Sequence, residues 1–267
     1  MPLWQYSVGV RSTVRFVNTI SRGRKMDYAR SASTPSTTMA LWALSNSSDR
    51  DVYVKNWLLN LPTGASLLDA GAGMQRYKEF ASHLQYTSQD FGEYTGGEFF
   101  GQHKMGEWDS TKCDILCDIT NIPLESNSFD FIMCTEVFEH LASPQDALRE
   151  LVRILKPNGT MLITAPFRCL YHQEPHFYYS GFSRYWYEHF GNEFNLEIQS
   201  IIPNGNYFTD IAQEVFRTTG FGGILQRTIA KILATPYLAY LFAIDKFSKT
   251  RTPESCWGYH VVLTKGV

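Results

Sequence analysis

In the stretch Leu67-Leu68-Asp69-Ala70-Gly71-Ala72-Gly73, a short apolar run ends in an acid and then in a glycine-rich turn. Such a run predicts a buried strand, Ser66–Asp69, that leaves the sheet at a tight turn. In an open parallel sheet, ligands bind beyond the carboxyl ends of the strands. Glycines there let backbone N–H groups approach a ligand closely. The stretch therefore predicts a ligand site at the end of this strand.

Outward from this turn, short apolar runs alternate with helical periodicity. Tyr77, Phe80, Ala81 and Leu84 have the spacing i, i+3, i+4 and i+7, which predicts an amphipathic helix. Further strands are predicted at Gln85–Asp90, Asp114–Cys117, Phe129–Thr135, Thr160–Ala165, Leu196–Ile202 and Tyr259–Leu263. Strands separated by helices imply crossover connections. The sequence therefore predicts a doubly wound α/β fold with a mostly parallel seven-stranded sheet.

The helix before the fifth strand has the clearest predicted boundaries. Ser143 is placed as its N-cap, Pro144 as its first residue, and Asp146 as the acid of a capping box. Pro157-Asn158-Gly159 is expected to end it.

The chain is predicted to divide into a basic arm with its linker, residues 1–35, and a main domain, residues 36–267. The arm carries Arg11, Arg15, Arg22, Arg24, Lys25 and Arg30 against Asp27. It is interpreted either as a transit-type segment or as a basic surface arm, and it lacks the apolar run of a secretory signal. The linker covers 31–38 and precedes a helix that stops near Leu61. A helical insertion, residues 204–255, is expected before the last strand.

An acid at the end of the second strand can bind a ribose. Asp90 lies 90 − 69 = 21 residues after Asp69, a distance typical of that role. Nicotinamide enzymes share this feature, but their third glycine would fall at position 76, where this chain has Arg76. The dinucleotide interpretation fails at that position.

Four segments, in order, resemble class I S-adenosylmethionine-dependent methyltransferases of type 11. They are Asp69-x-Gly71-x-Gly73, Asp118-Ile119, Phe129 to Leu141 with its Glu136-Val137-Phe138-Glu139-His140 run, and Leu155 to Thr160. One departure is Gln75, which replaces an often-seen third glycine. The resemblance implies a Rossmann-like methyltransferase fold, S-adenosylmethionine as cofactor, and methyl transfer.

The resemblance also implies the cofactor-binding residues. They are Asp69, Ala70, Gly71, Gly73, Asp90, Phe91, Asp118, Ile119, Thr135 and Glu136. Asp69 and the glycine backbone would hold the methionine end, Thr135 and Glu136 would line it, and Asp90 would hold the ribose. Phe91 and Ile119 would enclose the adenine, with Asp118 at its amino group. Two simpler roles stay open, a helix cap for Asp69 and a core position for Ile119.

The acceptor end is predicted from histidines and from an aromatic segment, residues 167–190, that is expected to form a lid. A hydroxyl acceptor needs a base, and His140, His172 and His176 are the candidates. Aromatic faces suit a sugar or a ring. The segment is loosely similar to methyltransferases that modify sugars of surface polysaccharides. Half of its aromatic residues are alternatively core.

Net charge and cysteine content indicate which classes of partner the protein binds. A formal net charge of −2 gives no general attraction to nucleic acid, so a small-molecule or glycan-like acceptor is expected. The five cysteines lack a paired metal pattern, which predicts reduced thiols, a cytoplasmic protein and no metal site.

Three further points stay open at this stage. Residues 232–244 are apolar but shorter than a membrane span and contain Pro236, which predicts a buried helix, with docking to a membrane surface as the alternative. Carbon or nitrogen methylation of a small metabolite is the alternative to oxygen methylation. A non-catalytic scaffold on the same fold is the second alternative.

Overall fold

The computed structural model describes residues 35–94, 108–247 and 255–267. The predicted basic arm therefore lies outside the described residues, except for its last position. The first described helix begins at Pro35, so the predicted linker is wrong from that residue to Thr38. Proline is well accommodated in the first turn of a helix, because its missing N–H has no partner there in any case.

The described residues form a seven-stranded sheet with helices. The helices are α1 (Pro35–Ala43), α2 (Asn46–Leu59), α3 (Pro144–Ile154), α4 (Arg184–Glu193), α5 (Tyr207–Thr218) and α6 (Ile224–Phe247). The strands are β1 (Ser66–Ala70), β2 (Gln85–Asp90), β3 (Ile115–Leu116), β4 (Phe129–Thr135), β5 (Leu155–Pro166), β6 (Leu196–Asn204) and β7 (Gly258–Lys265). Their order is β3-β2-β1-β4-β5-β7-β6, with β7 antiparallel to both neighbours. The predicted fold class is confirmed.

The strand order reverses at β1, which fixes where a ligand can bind. β1 pairs in parallel with β2 on one side and with β4 on the other. The connections from β1 and β4 leave in opposite directions, so a crevice opens at the carboxyl ends of these strands. The predicted ligand site lies at this crevice.

The helix predicted over 77–84 is wrong, because the chain forms only a 3-10 turn at Lys78–Ala81. Gln75 has a φ of 55°, which interrupts helical geometry just before it. The Phe80 N–H donates to the Tyr77 carbonyl at 3.0 Å, an i→i+3 bond. Tyr77 and Ala81 are buried against β1, so the periodicity indicated burial rather than an α-helix.

The predicted capping of α3 is partly wrong. The helix begins at Pro144, as expected, but the Ser143 side chain makes no capping hydrogen bond. Asp146 instead pairs with Arg149 on the same helix. The helix ends at Ile154, and residues 156–159 form an irregularity within β5 rather than a loop.

The helical insertion contains α5 and α6, and the prediction that its apolar segment is buried is wrong. Pro236 lies inside α6 without ending it. Ile232 and Leu233 expose 66% and 69% of their surface. Within the part of the chain that the structure describes, α6 is the single helix long and apolar enough to cross a membrane, judged on length and composition.

Candidate functional site

A cavity of about 1090 Å³ lies at the carboxyl ends of β1, β2 and β4. The predicted site residues that line it are Asp69, Gly71, Asp90, Phe91, Asp118, Ile119, Thr135, Glu136, His140, His172 and His176. Ala70 is instead buried inside β1, and Gly73 donates its N–H to the lining residue Asp90. The structure thus brings together residues from segments that are far apart in sequence.

The glycine loop is held by strand β2. The N–H groups of Gly71 and Ala72 both donate to the Gln89 carbonyl at 2.9 Å, and the Gly73 N–H donates to Asp90 Oδ2 at 2.8 Å. The expectation that these N–H groups face a ligand is therefore wrong, because β2 already accepts them. The glycines are required for a different reason, since a Cβ on Gly71 would lie 2.4 Å from Val137 Cγ2.

Asp90 uses both carboxylate oxygens to shape the loops. Oδ2 accepts from the Gly73 N–H at 2.8 Å, and Oδ1 accepts from the Gly92 N–H at 3.0 Å. Each carboxylate oxygen can accept a further hydrogen bond. Asp90 is half-buried at the cavity wall, so it can hold the loops and two ligand hydroxyl groups together.

Asp69 is a buried acid at the end of β1. Its Oδ2 accepts from the Tyr86 hydroxyl at 2.6 Å. Burial raises the pKa of Asp69 to about 7, helped by the negative charge of Asp90 and opposed by the Tyr86 hydrogen bond. The next element is a 3-10 turn, so Asp69 does not cap an α-helix.

The raised pKa of Asp69 predicts a pH-dependent stability. Below pH 3.8 both folded and unfolded states are protonated at this group, and above that value the folded state holds the proton to about pH 7. The free energy of unfolding should therefore fall by about 2–3 kcal/mol between pH 5 and pH 8, relative to an Asp69→Asn variant. Urea unfolding of both proteins at the two pH values measures this difference. Parallel pH profiles would show that the Asp69 carboxyl is not perturbed.

The predicted adenine side is formed by Phe91, Ile119 and Asp118. Phe91 exposes 40% of its surface, whereas Ile119 is 4% exposed and belongs to the core as well as to the cavity wall. Asp118 Oδ1 accepts from the N–H and the hydroxyl of Thr120, each at 2.8 Å. Ile119 therefore occupies the core position that was its simpler interpretation, and it also lines the predicted adenine side of the cavity.

Glu136 lies in a left-handed conformation at the end of β4, with a φ of 54°. Its carboxylate accepts from the Thr164 hydroxyl at 3.0 Å and pairs with Arg50 Nη1 at 2.8 Å. Burial lowers the pKa of the Arg50 guanidinium, but the charge of Glu136, together with smaller contributions from Tyr77 and Asp51, more than offsets burial and raises that pKa. This pair fixes α2 against the loop after β4, beside Thr135.

The acceptor side contains His140, His172 and His176 together with Glu139. The His140 ring contacts the His172 ring at 4.7 Å between centroids, and His140 Nδ1 lies 2.6 Å from the His176 carbonyl oxygen. Burial lowers the pKa of His140 to about 4, so its imidazole is neutral at pH 7. The His176 ring meets Phe91 edge-on at 5.1 Å. The three predicted bases therefore lie on one side of the cavity.

The predicted lid, residues 167–190, divides between wall and core. Tyr178 lines the cavity and is exposed, whereas Phe182 and Tyr187 are buried in the main core beneath the sheet edge. α4 begins inside this segment at Arg184. The interpretation that part of these aromatic residues is core is confirmed for Phe182 and Tyr187.

Two site residues have no role in the sequence analysis. Arg50 belongs to α2, which precedes every recognised motif, and nothing local marks it as a site residue. Glu139 lies within a quoted motif, yet its position in the cavity wall depends on the 3-10 turn Phe138–His140. An acid next to a candidate base was the available signal for Glu139.

Comparison with known proteins finds similarity to methyltransferases. Residues 68–163 match the family of methyltransferase domains. The chain is 29% identical over 102 residues to demethylmenaquinone methyltransferase of Clavibacter sepedonicus, which covers 38% of this chain and 40% of that enzyme. The chain therefore aligns with less than half the length of this relative.

Two solved structures are reported for comparison. The cyclase SpnF has a TM-score of 0.50 and 17% identity, over 82% of this chain and 81% of that chain. A SAM dependent methyltransferase from Aquifex aeolicus has a TM-score of 0.42 and 18% identity, over 64% of this chain and 93% of that chain. The likeness to SpnF concerns the fold alone. Residues 68–163 are therefore similar to methyltransferase domains, and the strand order and the four motif segments agree with that similarity.

Proposed function

We propose that the protein transfers a methyl group from S-adenosylmethionine to a hydroxyl oxygen of a small or glycan-like acceptor. One observation carries the proposal. The cavity joins the family's cofactor motifs, at the ends of β1, β2 and β4, to a wall with three imidazoles. Its volume of about 1090 Å³ is large for a single small ligand, which supports room for donor and acceptor together.

The residues present fit a cationic cofactor with a ribose. S-adenosylmethionine carries a sulfonium and an ammonium group, and the cavity wall contains the acids Asp69, Asp90, Asp118 and Glu136. Close packing against Val137 leaves no space for a side chain at Gly71, so position 71 contributes only backbone atoms to the cavity wall. In the proposed arrangement Asp69 lies near the ammonium group, Asp90 near the ribose, and Phe91 with Ile119 near the adenine.

Methyl transfer requires the protein mainly to position the methyl donor and the acceptor. The bound cofactor would supply an activated methyl group on its sulfonium sulfur. The chain's own residues hold the acceptor in line and exclude water, which is the main source of rate in such transfers. An imidazole nitrogen of His140, His172 or His176 takes the hydroxyl proton as the oxygen–carbon bond forms.

The residues that line the cavity distinguish between the alternative functions. A likeness in fold to a cyclase means that the fold does not decide the reaction. A scaffold needs neither an acid such as Asp90 at the ribose position nor a wall of imidazoles. Methylation of nitrogen or carbon stays open, and an amine that is already neutral would need no base.

Production of S-adenosylhomocysteine tests the proposed reaction. Purified protein is incubated with S-adenosylmethionine and three acceptor panels, made of sugars and lipid-linked glycans, small amines, and small carbon acids. We expect acceptor-dependent product with the hydroxyl panel. Product with the amine or carbon panel alone would contradict oxygen methylation, and cofactor binding without product from any panel would favour the scaffold.

We also propose that the protein works in the cytoplasm at an anionic membrane surface, through α6. Much of the apolar side of this helix is exposed, as at Ile232, Leu233 and Tyr240. Arg227 and Lys231 lie on the same helix and suit an anionic headgroup layer. A lipid-linked glycan acceptor would be met at such a surface.

Vesicle flotation tests the membrane proposal. We expect full-length protein to float with anionic vesicles, and the double variant Ile232→Ser, Leu233→Ser to float at least 10-fold less, since each apolar side chain contributes about 1.5–3 kcal/mol when buried. Leu59→Ser, also an exposed apolar position, is the matched control. Deleting residues 1–30 measures the contribution of the basic arm separately. Full-length protein that stays with the soluble fraction would contradict the proposal.

A further inference from the structure

Three metal-binding side chains converge on the acceptor wall of the cavity. Glu139, His140 and His172 each offer a ligand atom, and these atoms lie within 4.8 Å of one another. Glu139 Oε1 is 3.8 Å from His140 Nε2. Ligand atoms around an ion with bonds of about 2.1 Å lie roughly 3–4 Å apart, so small side-chain rotations would close the set.

Both imidazoles are oriented as metal ligands usually are. His140 Nδ1 lies 2.6 Å from the His176 carbonyl oxygen, and His172 Nδ1 lies 2.8 Å from the Leu170 carbonyl oxygen. A carbonyl only accepts, so Nδ1 of each ring is the N–H donor and Nε2 carries the lone pair. Ligating histidines commonly donate their second nitrogen to a backbone carbonyl in this way, which fixes the tautomer and the ring orientation.

Glu139 supplies an independent observation. Its side chain is 1% exposed, and its Oε2 has no hydrogen-bond partner among the described residues. A buried carboxyl group without a partner is unfavourable by several kcal/mol unless a proton or a cation joins it. Oε1 of the same carboxylate lies beside His140 Nε2, so a cation held by the two imidazoles would also meet Glu139.

We propose that Glu139, His140 and His172 form a site for a divalent transition-metal ion, such as Zn²⁺ or Mn²⁺, on the acceptor wall. Two imidazoles and one carboxylate suit these ions, whereas Mg²⁺ and Ca²⁺ prefer oxygen ligands. Catalytic sites of this kind leave a coordination position for a further ligand, and Glu139, His140 and His172 all line the cavity. An acceptor oxygen bound at that position, with His176 left to take its proton, is a role that rests on the methyl transfer proposed above.

Titration of metal-free protein with Co²⁺, followed by its visible spectrum, tests the site without cofactor or acceptor. We expect one equivalent to bind with a histidine–carboxylate spectrum that lacks the ultraviolet charge-transfer band of thiolate ligation. His172→Gln and Glu139→Gln should each weaken binding by about 100-fold or more, because loss of outer partners alone weakens metal sites 10- to 100-fold. Zn²⁺ should displace the Co²⁺, and Mg²⁺ in excess should not.

His189→Gln is the matched control, since His189 is an exposed histidine on α4 that pairs with Glu193 outside the cluster. It should leave Co²⁺ binding unchanged. Circular dichroism of each variant separates loss of a ligand from loss of the fold. Unchanged binding in both His172→Gln and Glu139→Gln, or a thiolate band that reports binding at cysteine, would overturn the proposal. Neither outcome bears on methyl transfer, which is measured separately by product formation.

Discussion

Replacing Asp90 with alanine is expected to weaken S-adenosylmethionine binding by about 100-fold or more. The Asp90 carboxylate accepts from the N–H groups of Gly73 and Gly92, and in the proposed complex it also accepts from the ribose hydroxyls. Hydrogen bonds to a charged group contribute about 1.5–3 kcal/mol each, and two lost bonds at the lower value already equal about a 100-fold change. Calorimetric titration measures the loss directly.

Two companion variants make the Asp90 result specific. Asp90→Asn keeps one acceptor oxygen and should lose less affinity than Asp90→Ala. Glu197→Gln removes an exposed acid on β6, away from the cavity, and should bind as the wild type does. Equal affinity in Asp90→Ala and wild type, with the fold intact by thermal unfolding, would contradict the ribose assignment.

Replacing Gly71 with alanine is expected to lower the free energy of unfolding by about 2–5 kcal/mol. Gly71 has a φ of 73°, a conformation that disfavours an L side chain by roughly 1–2 kcal/mol. An added Cβ would also lie 2.4 Å from Val137 Cγ2, and overpacking of this kind costs about 1–3 kcal/mol. Because Val137 adjoins Glu136 in the cavity wall, cofactor affinity should fall as well. Urea unfolding and calorimetry measure the two effects.

Gly64→Ala separates the two causes. Gly64 has a similar φ of 81°, but an added Cβ would meet nothing within 4 Å. This variant should lose only the conformational part, about 1–2 kcal/mol, and keep wild-type cofactor affinity. Equal destabilisation of the two variants would show that the close approach to Val137 has no energetic effect.

The sheet could be predicted from local patterns because its central strands are short, apolar and bounded by turns. Gln85–Asp90 and Phe129–Thr135 have the predicted bounds. The amphipathic spacing from Tyr77 to Leu84 predicted an α-helix that does not form. The same residues are apolar because they pack against β1, and this burial does not require an α-helix. The left-handed Gln75 before it follows from tertiary packing, which spacing does not report.

The candidate site could be predicted where a motif holds its residues in sequence, and not where distant elements meet. Asp69, Asp90 and Thr135 end strands, so topology alone brings them to one edge. Arg50 reaches Glu136 only because α2 packs beside the loop after β4. The exposure of α6 also depended on the fold, because composition alone does not distinguish a core helix from a surface helix.

The hydrogen bonding of Glu139 and the tautomers of His140 and His172 could not be predicted from the sequence, because they depend on contacts between individual atoms. A carbonyl from residue 176 orients one ring and a carbonyl from residue 170 orients the other. These contacts exist only in the folded chain, so the sequence predicted no metal site here.

Calorimetric titration of the wild-type protein with S-adenosylmethionine and, in parallel, with S-adenosylhomocysteine tests directly whether the cavity binds the cofactor. We expect saturable binding of both ligands at one site per chain, lost together in Asp90→Ala and retained in Glu197→Gln. Absence of binding for both ligands, in protein that unfolds cooperatively and is therefore folded, would contradict a methyltransferase function for this cavity.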